Sequence, residues 1–267
     1  MNRFTTNKND NMKVVLAAFG ILLVLASCNE GNKGIIKPMK NHKEKSDFQP
    51  ALSIEYFDES AKKIISPNTS VKKLAHGFSW TEGPVWIEQG NYLLFSDIPN
   101  NKVYKLNAQN DTILYLNPSG CSASNFTGKE SGSNGLLLNN FGELVLLQHG
   151  DRMISKMDAP LNNPSENYIP LVPHYENRKL NSPNDGVFDS LGNLYFTDPP
   201  YGLPNGLEDR KKELPFQGVY CLLVSGELLL DKDLKYPNGI GISPDGRTLS
   251  SNILYKKLIT DLIVILL

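Results

Sequence analysis

Short apolar runs broken by pairs of turn residues set the rhythm of this chain. In NSPNDGVFDSLGNLYFTDPPYG, from Asn181 to Gly202, Gly192 and Asn193 mark a turn and Leu194, Tyr195, Phe196 and Thr197 suit a strand. The same design occurs in EGPVWIEQGNYLLFSD from Glu82, NGLLLNNFGELVLLQH from Asn134 and NGIGISPDGRTLSSN from Asn238. Their glycines, Gly83, Gly135, Gly186 and Gly239, recur at a period of about 50 residues, which indicates a repeated supersecondary unit. Turn pairs Gly90-Asn91, Phe141-Gly142, Gly192-Asn193 and Asp245-Gly246 divide each unit into antiparallel strands. A four-stranded blade is the natural unit of that size. Radial packing of blades leaves only short edges, so the expected fold is an all-β propeller rather than a sandwich.

In such a ring the first strand of each blade lines a central channel, and Glu82, Asn134, Asn184 or Asp185, and Asn238 begin those strands at one end. Asn or Asp before Gly also satisfies turn geometry, which would account for any single repeat. Glu82 is harder to explain that way, because Glu is not a favoured turn residue. Convergent Glu and Asn oxygens without a His or Cys cluster suit a hard cation, calcium before magnesium or zinc.

Composition narrows the function classes. The 267 residues are 40% hydrophobic and 21% charged with a formal net charge of -1, so no basic surface calls for nucleic acid. Gly and Pro, 21 and 17 of them, fit many turns between short strands. Residues 1–28 read as a signal peptide with the apolar core VVLAAFGILLVLA, and Met12-Lys13 offers an alternative start. LASC resembles a bacterial lipoprotein box, which predicts lipidation at Cys28 and a cell-envelope location through a lipid anchor; a plain signal peptide is the alternative. Residues 29–52, polar and Lys-rich, are expected to be a flexible tether. Cys121 and Cys221 are open to two readings, a disulfide or two separate buried thiols.

Three stretches, TEGPVWIEQGNYLLFSDIPNNKVYKL, NSPNDGVFDSLGNLYFTDPPYGL and YPNGIGISPDGRTL, resemble the senescence marker protein, gluconolactonase and luciferin-regenerating enzyme family, over roughly Ile54 to Asn252. The resemblance implies a six-bladed β-propeller with a divalent cation, usually calcium, at the channel mouth, and hydrolysis of a sugar lactone or related ester. It assigns Glu82, Asn184 and Asn238 to the metal or its bound water. Asn134 and His149 are substrate-pocket candidates, His149 either as a proton shuttle or as a hydrogen-bonding residue beside the channel. The chain departs from the family in one respect: no further blade supplies the PDG aspartate that completes the metal shell and acts as base. Residues 53–252 hold about four blades, and ILYKKLITDLIVILL loses the strand pattern over residues 253–267, as a frameshift or premature stop would produce, with genuine divergence as the other reading.

Asp185 is then the nearest carboxylate for the base, with holding the Asn184 turn as its other reading. Asp198 is expected to fix the turn before Pro199 and Pro200. The leading function is a calcium-dependent lactonase, inactive if the last blades are essential. A non-catalytic envelope propeller that binds a carbohydrate or protein is the alternative, and phosphotriester hydrolysis would use the same site.

Overall fold

A computed structural model of the chain describes residues 54–231, 234 and 236–253; Cys28, the expected signal peptide, the whole of the expected tether and all but the first residue of the terminal tail lie outside them. Residues 54–74 form a unit of their own with one short 3-10 turn, Glu59–Lys63. The Asp58 carboxylate caps it by accepting from Ser60 N at 2.7 Å.

From Ala75 onward every strand pairs antiparallel with a neighbour along the sequence. The first sheet comprises β1 (Thr81–Ile87), β2 (Tyr92–Asp97), β3 (Lys102–Asn107) and β4 (Thr112–Leu116). The second comprises β5 (Ser133–Leu138), β6 (Leu144–Gln148), β7 (Met153–Met157) and β8 (Tyr168–Val172). The third comprises β9 (Gly186–Phe188), β10 (Leu194–Asp198), β11 (Gly218–Leu222) and β12 (Leu228–Asp231). A pair, β13 (Pro237–Ile242) and β14 (Leu249–Ile253), follows. Among the described residues there is no α-helix.

The turns form where the sequence supplies left-handed backbone. Gly142, Gly192 and Gly246 have φ of 75°, 91° and 70°, and Asn91 takes that role in the first sheet at 49°. In the second and third sheets a side chain locks the turn. Asn139 Oδ1 accepts from Phe141 N and Glu143 N, and Asp189 Oδ1 accepts from Leu191 N and Asn193 N.

Strand β6 shows why the apolar runs are continuous rather than alternating. Leu144 and Leu146 pack into one core with Ile87, Tyr92, Leu94 and Val103 of the first sheet, whereas Val145 and Leu147 pack into another with Leu194, Phe196 and Tyr220 of the third. A sheet covered on both faces needs apolar residues at both parities. Each fully buried side chain of this kind contributes about 1.5 to 3 kcal/mol, so the sheet-to-sheet faces dominate the stability. Phe196 and Tyr220 stack at 4.9 Å within the second core. First strands meet first strands: β1 packs on β5, β5 on β9, and β9 on β13. Cys121 and Cys221 are both free and buried, which settles their two readings in favour of separate thiols.

Candidate active site at the starts of the first strands

Two aspartates at strand ends hold the chain segments that lead into the motifs. Asp97, last in β2, accepts through Oδ1 from Ser79 N and Trp80 N, both at 3.1 Å, and through Oδ2 from Asn100 Nδ2 at 2.7 Å. Asp198, last in β10, accepts from Asn181 N and Ser182 N, both at 2.8 Å. Asp198 therefore acts upstream of the motif rather than on the turn at Pro199, where Ser182 Oγ donates to the Pro199 carbonyl at 2.6 Å instead. Burial pushes the Asp198 carboxyl up to about 7, against the lowering effect of the two N–H donors and of Arg152 and Lys212.

Register places the four motifs in equivalent positions. The pairs Val85↔Leu94, Leu137↔Val145, Val187↔Tyr195 and Gly241↔Ser250 stand at the same distance from the ends of β2, β6, β10 and β14. Three residues upstream of them are Glu82, Asn134, Asn184 and Asn238. Counting this way, Asn184 rather than Asp185 matches Glu82, and Asp185 matches Gly83.

Neighbouring motifs touch. Gly83 has φ of 57°, and a Cβ there would lie 2.1 Å from the Asn134 carbonyl oxygen. Gly135 N donates to the Asn184 carbonyl at 2.8 Å. At the third step Thr197 Oγ1 donates to the Asn238 carbonyl at 2.8 Å, and Asp185 Oδ2 accepts from Ile240 N at 3.0 Å. Asp185 Oδ1 accepts from Gly186 N at 2.9 Å, so both oxygens are held, and burial raises its pKa above the ordinary carboxylate value.

The side chains present oxygens in a desolvated setting. Glu82 Oε1 accepts from Trp80 Nε1 at 3.1 Å. Burial pushes the Glu82 carboxyl up to about 7; Trp80 opposes this, and the charges of Asp185 and Glu130 add to it. Asn134 and Asn184 are 6% and 4% exposed, and neither side-chain amide has a hydrogen-bond partner among the described residues. Among those residues no three His, Cys, Asp or Glu side chains form a metal cluster, so any ion here would rest on one carboxylate and amide oxygens. Unpartnered amides beside a desolvated carboxylate fit a hard cation.

His149 lies elsewhere on the same rim. It is fully buried, its Nδ1 stands 2.9 Å from Glu130 Oε2, and its Nε2 has no partner. The Tyr201 hydroxyl is also buried; burial raises its pKa, a hydrogen bond with the Asn238 side chain opposes this, and the charges of Tyr236 and Glu130 add to it. Glu130 and Tyr201 are absent from the motif reading because they sit in loops outside the repeat. Their only sequence signals are a lone carboxylate in the Ser- and Gly-rich run before Asn134 and the aromatic residue closing DPPYG.

Antiparallel sheets in sequence order, each offering an oxygen-bearing side chain at one register position, define an all-β repeat protein with a polar site where its first strands begin. The sequence then gives the family. A model described as "SMP-30/Gluconolactonase/LRE-like region" matches residues 80–252, and the chain belongs to that family. It is 33% identical over 244 residues to a gluconolactonase of Zymomonas mobilis, covering 90% of this chain and 67% of that protein. A solved gluconolactonase from Xanthomonas campestris superposes with a TM-score of 0.58 at 29% identity, over 70% of this chain and 58% of its own. The diisopropyl-fluorophosphatase of Loligo vulgaris is 32% identical over 75 residues, 27% of this chain and 24% of that protein.

Proposed function

We propose that the protein is a calcium-dependent lactonase built on a β-propeller of the six-bladed kind, about four blades of which lie in this chain. The observation that carries the reading is the common register of Glu82, Asn134, Asn184 and Asn238, and its neighbours in sequence include gluconolactonases. Glu82 and the amide oxygens of Asn184 and Asn238 would hold the ion. When bound, calcium supplies Lewis-acid polarisation of the lactone carbonyl and a counter-charge for the oxyanion.

The chain's own residues do the rest. Trp80 Nε1 fixes the rotamer of Glu82. Asp185, held by Gly186 N and Ile240 N, is the carboxylate adjoining the Asn184 motif and takes the proton of the attacking water. Water adds to the carbonyl carbon, the ring C–O bond breaks, and the departing oxygen is protonated to give the open hydroxy acid. The Asn134 amide orients the substrate. Envelope attachment through a lipid on Cys28 belongs to the same proposal, and mass spectrometry of the Cys28 peptide from membranes tests it.

The purified protein, cleaved before Cys28, is expected to hydrolyse D-glucono-1,5-lactone above the spontaneous rate. Chelation should abolish the excess and calcium restore it, and Glu82→Gln should lower turnover by about a hundredfold or more. Calcium binding without turnover would overturn the lactonase and leave the carbohydrate- or protein-binding alternative; turnover indifferent to chelator and to Glu82→Gln would overturn the metal site.

A further inference from the structure

The tips of three turns carry large apolar side chains that the turns themselves do not need. Phe141, Leu191 and Val224 are 88%, 77% and 70% exposed, and each belongs to a tight turn with a glycine at positive φ, Gly142, Gly192 and Gly226. Such positions usually take Asn, Asp, Ser or Pro. The turn between β13 and β14 shows the ordinary solution, with Asp245 before Gly246 where Phe141 and Leu191 stand before theirs.

The three tips are neighbours. Leu194 pairs with Phe188 on one side and with Leu222 on the other, so the turns that carry Leu191 and Val224 leave the third sheet at the same end. A Cβ on Gly192 would stand 3.5 Å from both Asn140 Nδ2 and Val224 Cγ2, and Asn140 Nδ2 donates to the Asp189 carbonyl at 3.4 Å. This is the end opposite the one at which Asn134 and Asn184 open their strands.

We propose that Phe141, Leu191 and Val224 form a lipid-docking face, which lays this end of the sheets on a bilayer and turns the proposed ion site away from it. Side chains exposed to this degree protrude rather than line a groove, and a fluid interface takes up protruding apolar groups without a preformed socket. The turns beneath them are already satisfied. Gly142 N and Gly192 N donate to the Asn139 and Asp189 carbonyls, the Asp189 carboxylate accepts from Leu191 N, Asn193 N and the Asn193 amide, and Glu143 is paired with Lys156 at 2.7 Å. Entry into the headgroup boundary therefore strands few polar groups. The lipid proposed on Cys28 supplies proximity, because a flexible tether of the length of residues 29–52 spans about 25 to 30 Å. The inference uses that anchor reading for its setting and nothing of the lactonase chemistry.

The protein beginning at Cys28, prepared with and without its lipid, is tested on vesicles of phosphatidylcholine and phosphatidylglycerol. In the lipidated protein, Phe141→Trp should be quenched by brominated lipid beyond the signal that Trp80 and Trp86 give in the parent. Without the lipid the parent should still sediment with vesicles, and Phe141→Asp and Leu191→Asp, each checked for unchanged melting, should each weaken that binding about tenfold or more. A tryptophan at position 141 that stays unquenched, an unlipidated parent that does not sediment, or variants that bind like the parent would overturn the face. So would dimers in solution that the same variants dissolve, which would make a second copy of the chain the occupant. The two readings fail separately. Vesicle binding that the variants weaken, with no lipid on Cys28 of protein taken from membranes, upholds the face and removes the anchor; a lipidated protein unquenched at position 141 upholds the anchor and removes the face.

Discussion

The first and third sheets are two solutions to one problem, that of holding a motif at the start of a first strand. Both place an aspartate at the end of the second strand and aim its carboxylate at two backbone N–H groups just upstream of the motif. In the first sheet the carboxylate also meets the Asn100 amide, and its backbone donors are only partly buried. Both carboxylates are buried, but in the third sheet the backbone donors are buried too, with Arg152 and Lys212 as counter-charges. The residue after the motif differs as well: Gly83 in one, where the Asn134 carbonyl leaves no room for a side chain, and Asp185 in the other, where a side chain reaches across to Ile240. Equivalent positions carry different chemistry according to what the neighbouring sheet presents.

Gly83→Ala should break the comparison most severely. A methyl group must displace backbone from 2.1 Å and adopt positive φ, so a loss of about 4 kcal/mol or more is expected, read as a fall in the urea midpoint. Asp185→Gly, its counterpart in the third sheet, has no such clash; finding the two equally damaging would mean that the carbonyl contact is not what requires glycine at position 83.

The next effect is one of pH. The folded Asp198 carboxyl titrates at about 7 against an ordinary 3.8, so the folded protein keeps a proton that the unfolded chain has released between those values. Its contribution to stability is full below about pH 4, falls as pH rises, and is lost above about pH 7, by an amount on the order of 4 kcal/mol. Urea unfolding across that range should show the decline relative to Asp198→Asn, which removes it; parallel curves for the two proteins would contradict the burial argument. Asp97→Ala should be the mildest change, about 1 to 2 kcal/mol in thermal unfolding, because water can reach the N–H groups it abandons.

Much of this was legible in the sequence because the repeat carries it. Glycines at 142, 192 and 246 marked turns that need left-handed backbone, and the apolar runs marked strands buried on both faces. The period aligned Glu82 with Asn134 and Asn238, leaving Asn184 and Asp185 ambiguous because NDG has one residue more than NG; register separates them. Asp198 was read as local to its own turn because its partners, Asn181 and Ser182, become neighbours only when β10 folds back beside them. Glu130 and Tyr201 lie in loops with no period, and such positions are set by tertiary packing alone.

The strictly sequential pairing of strands has a kinetic side. Each described sheet closes through turns between adjacent segments, so its contacts are local in sequence and cheap in loop entropy, whereas the seams from Gly83 to Asn134 and from Gly135 to Asn184 join residues about fifty apart. Individual meanders can assemble before they dock. Interactions made only on docking are absent from an early transition state, so damage at the seams speeds unfolding more than it slows folding. The lifetime of the assembled site is then governed by the same backbone contacts that bring its four motifs side by side.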